Sequence, residues 1–355
     1  MMRILTALFI TLIVLSCNDL QQKNELPVID FQVVEFDSLP IINKQHQDLM
    51  GNKYGFEGGR IVELGDTLHW ITSEMFDDPK IVKMRLAHWK SKKGTDKWER
   101  VSTLYESSGE FTGADIRSAL WGPMPILDEQ HDLWNLFYIS YRSKPNTDSA
   151  WYLNYDGKVW RSISKIKGIA GITGPYINDS IILEYGDGSD SWEGLQGTDS
   201  FFPFKVSDKW FGFYGSAQTQ FVPCKFWGVG LVESNTLDGK WMRLSASNPV
   251  DFNSKFAENP IVSRLESNLW IALVDGGHIN NNFGFALSSN GTLWSHAKFI
   301  ILNDSKNKWW SLMRTPLCIL DEGDGYYTVY FTAYTPNDFA TLGKVKLKRI
   351  NQKRQ

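Results

Sequence analysis

Short runs of apolar or alternating residues, each bounded by Gly, Asn, Asp or Pro, recur along the whole chain, and stretches with a helical period are scarce. Alternation at every second residue turns one face of a strand toward a core, so the pattern predicts β-strands joined by tight turns. Several of the runs follow one plan. An entry containing Gly or Pro and a charged residue leads into an apolar strand, then a turn with Asp, Glu or Asn, then a strand rich in aromatics. Glu57-Gly-Gly-Arg60 leads through Gly65-Asp66 to Leu68-His-Trp-Ile-Thr, and Trp121-Gly-Pro leads through 128–132 to Trp134-Asn-Leu-Phe-Tyr. Gly197-Thr-Asp199 leads through Ser207-Asp208 to Trp210-Phe-Gly-Phe-Tyr. Glu258-Asn-Pro precedes Leu269-Trp-Ile-Ala-Leu-Val-Asp275, and Arg314-Thr-Pro precedes Tyr326-Tyr-Thr-Val-Tyr-Phe.

The entries Glu57, Pro123, Asp199, Glu258 and Arg314 lie 66, 76, 59 and 56 positions apart. Five units of three or four strands at this spacing predict an all-β fold, a five-bladed β-propeller. A sandwich or jelly roll has no such shared entry and ranks second. The propeller carries a geometric consequence: if the first strand of each blade lines the central channel, residues far apart in sequence meet at one mouth.

The N-terminus reads differently. One Arg, an apolar run from Ile4 to Leu15 and a small residue before a cysteine make a signal peptide rather than a fold element. The run is shorter than the roughly 20 residues that span a bilayer. Val14-Leu15-Ser16-Cys17 resembles the lipobox of bacterial lipoproteins. The expectation is cleavage before Cys17, lipidation of that cysteine, and a chain anchored at the cell envelope, on the periplasmic face of an outer membrane or at the cell surface. An ordinary secretory signal is the alternative. The resulting domains are a signal at 1–17, a polar tether and lead-in at 18–49, and the propeller at 50–348.

Composition narrows the chemistry. A net charge of −3 gives no electrostatic case for nucleic acid or an anionic membrane surface, so membrane contact is expected through the lipid only, on a monomer. No Gly-rich phosphate loop, zinc-ligand spacing or Gly-x-Ser-x-Gly elbow occurs. Cys224 and Cys318, the cysteines besides Cys17, are open to either a disulfide or two buried thiols. The aromatic content is high, 15 Trp, 13 Tyr and 21 Phe; many of these must be core, and such richness also suits stacking on the apolar faces of sugar rings.

Among the entries, Glu57, Asp199 and Glu258 place three carboxylates at one end of the axis beside Arg314. That set suits cleavage of a glycosidic bond, in which one carboxyl protonates the leaving oxygen while another activates water or attacks the sugar carbon. A neighbouring negative charge keeps the acid protonated near neutrality. A carboxylate at a strand entry is more often a turn ligand; repetition at the same blade position is what favours catalysis. Arg314 is a candidate either for substrate contact or for pairing with a blade-entry carboxylate, Asp275 is a candidate for substrate contact, Arg60 is a weaker one or a plain surface residue, and Trp121, Trp192 and Trp227 are candidate stacking platforms or core. His278, after Asp275-Gly-Gly, binds a sugar hydroxyl or holds a central cation through water, or is a hydrogen-bonded spacer. No cofactor and no protein-ligated metal are called for; a central calcium ion is the one metal this layout admits.

The motifs Phe56-Glu57-Gly-Gly-Arg60, Leu120-Trp121-Gly-Pro-Met-Pro125, Gly197-Thr-Asp199-Ser-Phe-Phe-Pro203, Phe256-Ala-Glu258-Asn-Pro260 and Arg314-Thr-Pro316 resemble those of the five-bladed β-propeller glycosidases, the arabinanase/β-xylosidase family 43 and its relatives, over roughly residues 50–348. The resemblance implies a glycosidase that inverts the anomeric centre, with a general base from the first blade, a pKa-modulating carboxylate from the second and a general acid from the third. Carried over, Glu57 stands at the base position and Asp199 at the acid position. Three departures follow: Glu57 replaces the usual Asp, Asp199 replaces the usual Glu, and the second blade offers Trp121 with no carboxylate while Glu258 adds one in the fourth. Glu258 is then the acid or the modulator. The leading reading is an exo-acting glycoside hydrolase on oligosaccharides of plant or algal polysaccharides. A glycan-binding propeller without catalysis and a retaining fructosyl-type enzyme are the alternatives.

Overall fold

The computed structural model describes residues 26–147, 152–277, 282–300 and 309–351. Cys17 and His278 lie outside them. The described residues form twenty strands in five four-stranded antiparallel sheets, with only two short 3-10 turns, Gln47–Leu49 and Ile169–Thr173. The first strand, β1 (Ile29–Phe36), belongs to the last sheet. Blade 1 is β2 (Phe56–Leu64), β3 (Thr67–Met75), β4 (Met84–Lys92) and β5 (Glu99–Glu106). Blade 2 is β6 (Ala119–Asp128), β7 (Leu133–Ser143), β8 (Asn154–Lys167) and β9 (Tyr176–Glu184). Blade 3 is β10 (Phe201–Val206), β11 (Lys209–Ala217), β12 (Trp227–Ser234) and β13 (Met242–Arg243). Blade 4 is β14 (Glu258–Glu266), β15 (Leu269–Asp275), β16 (Phe283–Ser288) and β17 (Lys298–Phe299). Blade 5 is β18 (Leu312–Gly323), β19 (Tyr326–Tyr334), β20 (Ala340–Asn351) and β1.

The innermost strands touch in a closed cycle, β2 on β6, β6 on β10, β10 on β14, β14 on β18 and β18 back on β2, which is a five-bladed propeller. Closure is made by strands from both ends of the chain. β1 pairs antiparallel with β20 from Ile29↔Asn351 to Phe36↔Val345, and Phe31 buries itself edge-on against Phe285 and Tyr327 at 4.9 and 5.7 Å. The segment read as a tether and lead-in therefore supplies a blade strand, because the alternating Ile29, Phe31 and Val33 need a sheet face to cover.

Burial of aromatics between blades accounts for much of the tryptophan content. Trp70, Trp89 and Trp134 are fully buried, and rings from adjacent blades meet directly, as in Phe137–Phe201 at 5.3 Å and Phe283–Phe331 at 6.1 Å. Full burial of each such side chain contributes about 1.5–3 kcal/mol or more, so these rings are first of all the core. Cys224 and Cys318 are free thiols, the latter buried.

Candidate active site

A two-residue bulge recurs near the start of four innermost strands. The pairing skips from Glu57 to Arg60 in β2, from Trp121 to Met124 in β6, from Glu258 to Ile261 in β14 and from Met313 to Pro316 in β18. These are the Gly- and Pro-rich entries seen in the sequence. Bulges re-aim the preceding side chain and break the alternation. In β2 the bulge requires glycine: Gly59 has φ +94°, and a Cβ there would fall 2.0 Å from the Ile71 carbonyl oxygen. The register makes Trp121, rather than Pro123, the second-blade counterpart of Glu57 and Glu258, while Arg314 lies inside its bulge. Blade 3 has no bulge, and Asp199 stands just ahead of β10.

Glu57, Asp199, Glu258 and Arg314 converge on one cavity of about 650 Å³ at the N-terminal ends of the innermost strands. Its charge is organised by the Arg314 guanidinium. Nη2 lies 3.0 Å from Glu57 Oε1 and 2.8 Å from Glu258 Oε2, and Nε lies 3.4 Å from Asp275 Oδ2. The three acids come from blades 1 and 4, and Glu258 and Asp275 are direct cross-strand partners. Like charges so placed repel, and the single guanidinium between them offsets the repulsion. Burial by itself would lower the Arg314 pKa; Asp275, Glu57 and Glu258 outweigh it and hold it well above the usual value. Burial drives Glu258 well above the carboxylate range against the pull of Arg314, with Asp199, Asp275 and Glu57 adding to the rise. Asp275 is raised for the same first reason, and its Oδ1 accepts the Gly277 N–H at 2.6 Å. The Tyr334 hydroxyl donates to Glu57 Oε2.

Asp199 differs from every other acid here. It is 5 % exposed, and neither carboxyl oxygen accepts a well-formed hydrogen bond among the described residues. Burial pushes it up to about 7, against the opposing influence of Ser200, Trp227, its own backbone N–H and Arg314. The carboxyl rests on bare backbone: a Cβ at Gly215 would sit 1.6 Å from Asp199 Oδ1. The main chain locks the pair in place, since Asp199 N–H donates to the Gly215 carbonyl at 3.1 Å. Glu74, a buried acid in β3, shows the contrast. It accepts from Trp89 Nε1 at 2.8 Å, Arg100 Nε at 3.0 Å and Arg85 Nε, so its oxygens are fully committed to holding blade 1 together.

Trp121 and Trp227 line the cavity, with Tyr141, Tyr152 and Phe256 completing an aromatic wall; Tyr152 meets Trp227 at 6.0 Å and Phe256 meets it at 5.4 Å. Lys80 and Asp338, paired at 2.6 Å, join blades 1 and 5 at the rim. Three expected substrate contacts are corrected. Trp192 does not line the cavity but packs behind it against Tyr214 at 5.6 Å and Phe226 at 5.9 Å, in a loop anchored by the Glu193–Arg243 ion pair. Arg60 lies farther down the channel, because the bulge between it and Glu57 shifts the register. Asp275 is fully buried beneath Arg314 and orients that side chain instead of lining the cavity. Tyr334 and Gly215 are absent from the sequence reading. A tyrosine ending the aromatic strand after the Arg314 entry, and a glycine pair in β11 opposite the Asp199 entry, were the available signals. Among the described residues no group of three or more His, Cys, Asp or Glu side chains has the geometry of a metal site; a guanidinium occupies the centre of the acids.

By sequence, neither a protein-family model nor a curated protein matches the chain. Solved structures do. A family 117 glycoside hydrolase from the marine bacterium Zobellia galactanivorans superposes with a TM-score of 0.60 at 12 % identity, over 90 % of each chain. The catalytic domain of a family 62 α-L-arabinofuranosidase from Coprinopsis cinerea gives 0.55 at 13 % identity, over 87 % of this chain and 95 % of that one. An α-L-arabinanase mutant from Cellvibrio cellulosa gives 0.52 at 14 % identity, over 85 % and 92 %. This is the five-bladed propeller fold of glycoside hydrolases. The likeness at these identities is one of fold, so the chemistry rests on the side chains of the cavity.

Proposed function

We propose that the protein is a glycoside hydrolase acting on oligosaccharides of plant or algal polysaccharides, exo in action and inverting in outcome. The observation that carries this reading is a pair of acids in one cavity with opposite environments. Asp199 is buried without a well-formed hydrogen bond and its pKa is pushed up to about 7, whereas Glu57 is paired with Arg314 and hydrogen-bonded by Tyr334. Carboxyls whose surroundings differ in this way divide into acid and base. Asp199 gives its proton to the glycosidic oxygen as the C–O bond breaks; Glu57 takes a proton from the water that attacks the anomeric carbon from the other face. The leaving sugar carries the Asp199 proton away, and Glu57 ends protonated. Glu258, bound to Arg314 in the same cavity, takes the place of the further carboxyl that Trp121 cannot supply in blade 2. A base one methylene longer than usual and an acid one methylene shorter keep their combined reach. A cavity of about 650 Å³ has the size that encloses a small ligand, which supports exo action, and Cys17 would hold the enzyme at the cell envelope.

The test is reducing-sugar release from arabinan, xylan, galactan and agar-derived oligosaccharides, with the product anomer followed by proton NMR. Turnover with an inverted product supports the reading. A retained product calls for a carboxyl pair about 5–5.5 Å apart and rejects the inverting mechanism. Trp121 at the second-blade carboxylate position favours one other reading, a glycan-capture protein, which binding without turnover across the panel would establish.

Gly215→Ala is expected to lower kcat by about 10²-fold with little change in KM, because displacement of the acid by about an ångström costs that much in a positioned reaction. An unchanged kcat would remove Gly215 from the positioning of Asp199.

A further inference from the structure

Gln196 stands three residues ahead of Asp199, in the segment that joins blade 2 to blade 3, and lines the same cavity. Its main chain is fixed on both sides: the N–H donates to the Ala217 carbonyl of β11 at 3.2 Å, and the carbonyl accepts the Gly157 N–H of β8 at 2.9 Å. The approach to β8 is close enough to require glycine. A Cβ at Gly157 would fall 2.1 Å from the Thr198 carbonyl oxygen, and one at Gly197 would fall 2.2 Å from the Gly157 nitrogen. The side chain so held is 1 % exposed, and its Oε1 accepts no hydrogen bond among the described residues. The amide faces the Tyr141 hydroxyl, another group of the cavity wall, and pulls its pKa down against burial. On the blade 2 wall, the indole N–H of Trp121 is likewise enclosed without an acceptor among the described residues.

We propose that Gln196 sets the specificity of the acid cavity, its Oε1 accepting a hydrogen bond from a hydroxyl of a neutral sugar. A buried amide oxygen left without a donor is destabilising, and no described residue relieves it. The torsion that turns a glutamine amide is soft, so a small rotation presents the oxygen to a ligand while the backbone stays fixed. The partner must bring a hydrogen. A sugar hydroxyl does, whereas an ionised carboxylate or a sulfate offers only acceptors and would also meet Glu57 and Glu258 in the same cavity. Trp121 Nε1 has the opposite polarity, and hydroxyls are the groups able to satisfy both. The short link to Asp199 ties recognition to the reaction: the ring that Gln196 holds is the one whose glycosidic oxygen Asp199 protonates. The inference rests on the hydrolase reading for that last step only, since sugar binding does not require turnover.

The test is calorimetric titration of the full mature chain, wild type and Gln196→Met, with L-arabinose, D-xylose, D-galactose and D-galacturonate, which carry no glycosidic bond to cleave. Methionine keeps the length of the side chain and removes both polar atoms. At least one neutral sugar should bind the wild type saturably and Gln196→Met about tenfold more weakly, the size of one net hydrogen bond. Among the monodeoxy analogues of that sugar, the one lacking the held hydroxyl should lose about tenfold on the wild type and nothing further on Gln196→Met, a pattern that a merely structural glutamine does not produce. Equal affinities of wild type and variant, or a deoxy loss of the same size in both, overturn the proposal. So do the absence of saturable heat with every neutral sugar, a preference for galacturonate over galactose, and a variant that unfolds well below the wild type, since the amide then serves the fold. Sugar binding that depends on Gln196 without turnover in the hydrolysis panel would reject the hydrolase reading and leave this one standing; turnover by Gln196→Met at the wild-type kcat/KM would do the reverse.

Discussion

Asp199→Asn should lower hydrolysis by about 10²–10⁴-fold, the usual contribution of a positioned general acid, while the protein becomes more stable at pH 8 than the wild type. Both effects have one cause. Holding the Asp199 carboxyl in a dry slot over Gly215 raises its pKa from 3.8 to about 7, so the folded protein binds more protons than the unfolded chain between those values. Stability contributed by the protonated acid is full below pH 4 and is lost as pH rises through about 7. Asparagine keeps the shape, cannot ionise and removes that loss. In the wild type, kcat/KM should fall on the alkaline side with an apparent pKa near 7, since only the protonated form can donate. Unfolding midpoints at pH 5 and pH 8, set beside rate profiles of both proteins, check the pair of effects. A variant that is inactive but destabilised at pH 8 would show that Asp199 serves the fold.

Arg314→Met should destabilise the protein by about 3–5 kcal/mol at pH 8, the range for removing one partner of a buried ion pair. Glu57, Glu258 and Asp275 would be left facing one another without a cation. The loss should shrink toward pH 5. With Arg314 gone, the acids in the folded state hold protons to higher pH than in the unfolded chain, so the variant gains stability as pH falls. Urea midpoints at the two pH values test this. Were Arg314 chiefly a substrate contact, the variant would bind oligosaccharide poorly and unfold like the wild type.

The sequence by itself determined the strands, their grouping and the convergence of the entries. Alternating apolar residues can satisfy a backbone only in sheets, and five entries repeating at 56 to 76 residues bring Glu57, Asp199, Glu258 and Arg314 to one axis. The use of β1 in blade 5 was hidden, because pairing between Ile29 and Asn351 is set by ring closure and leaves no mark within either segment. Tertiary structure alone decided what each entry residue does. The bulge between Glu57 and Arg60 leaves Glu57 in the acid cavity and Arg60 farther down the channel, and Trp192 packs behind the cavity against Tyr214 and Phe226. Which acid is paired and which is bare depends on where one guanidinium sits and on a glycine sixteen residues from Asp199. Charge and solvation at a site are sums over everything packed around it, and a chain read in order does not contain those sums.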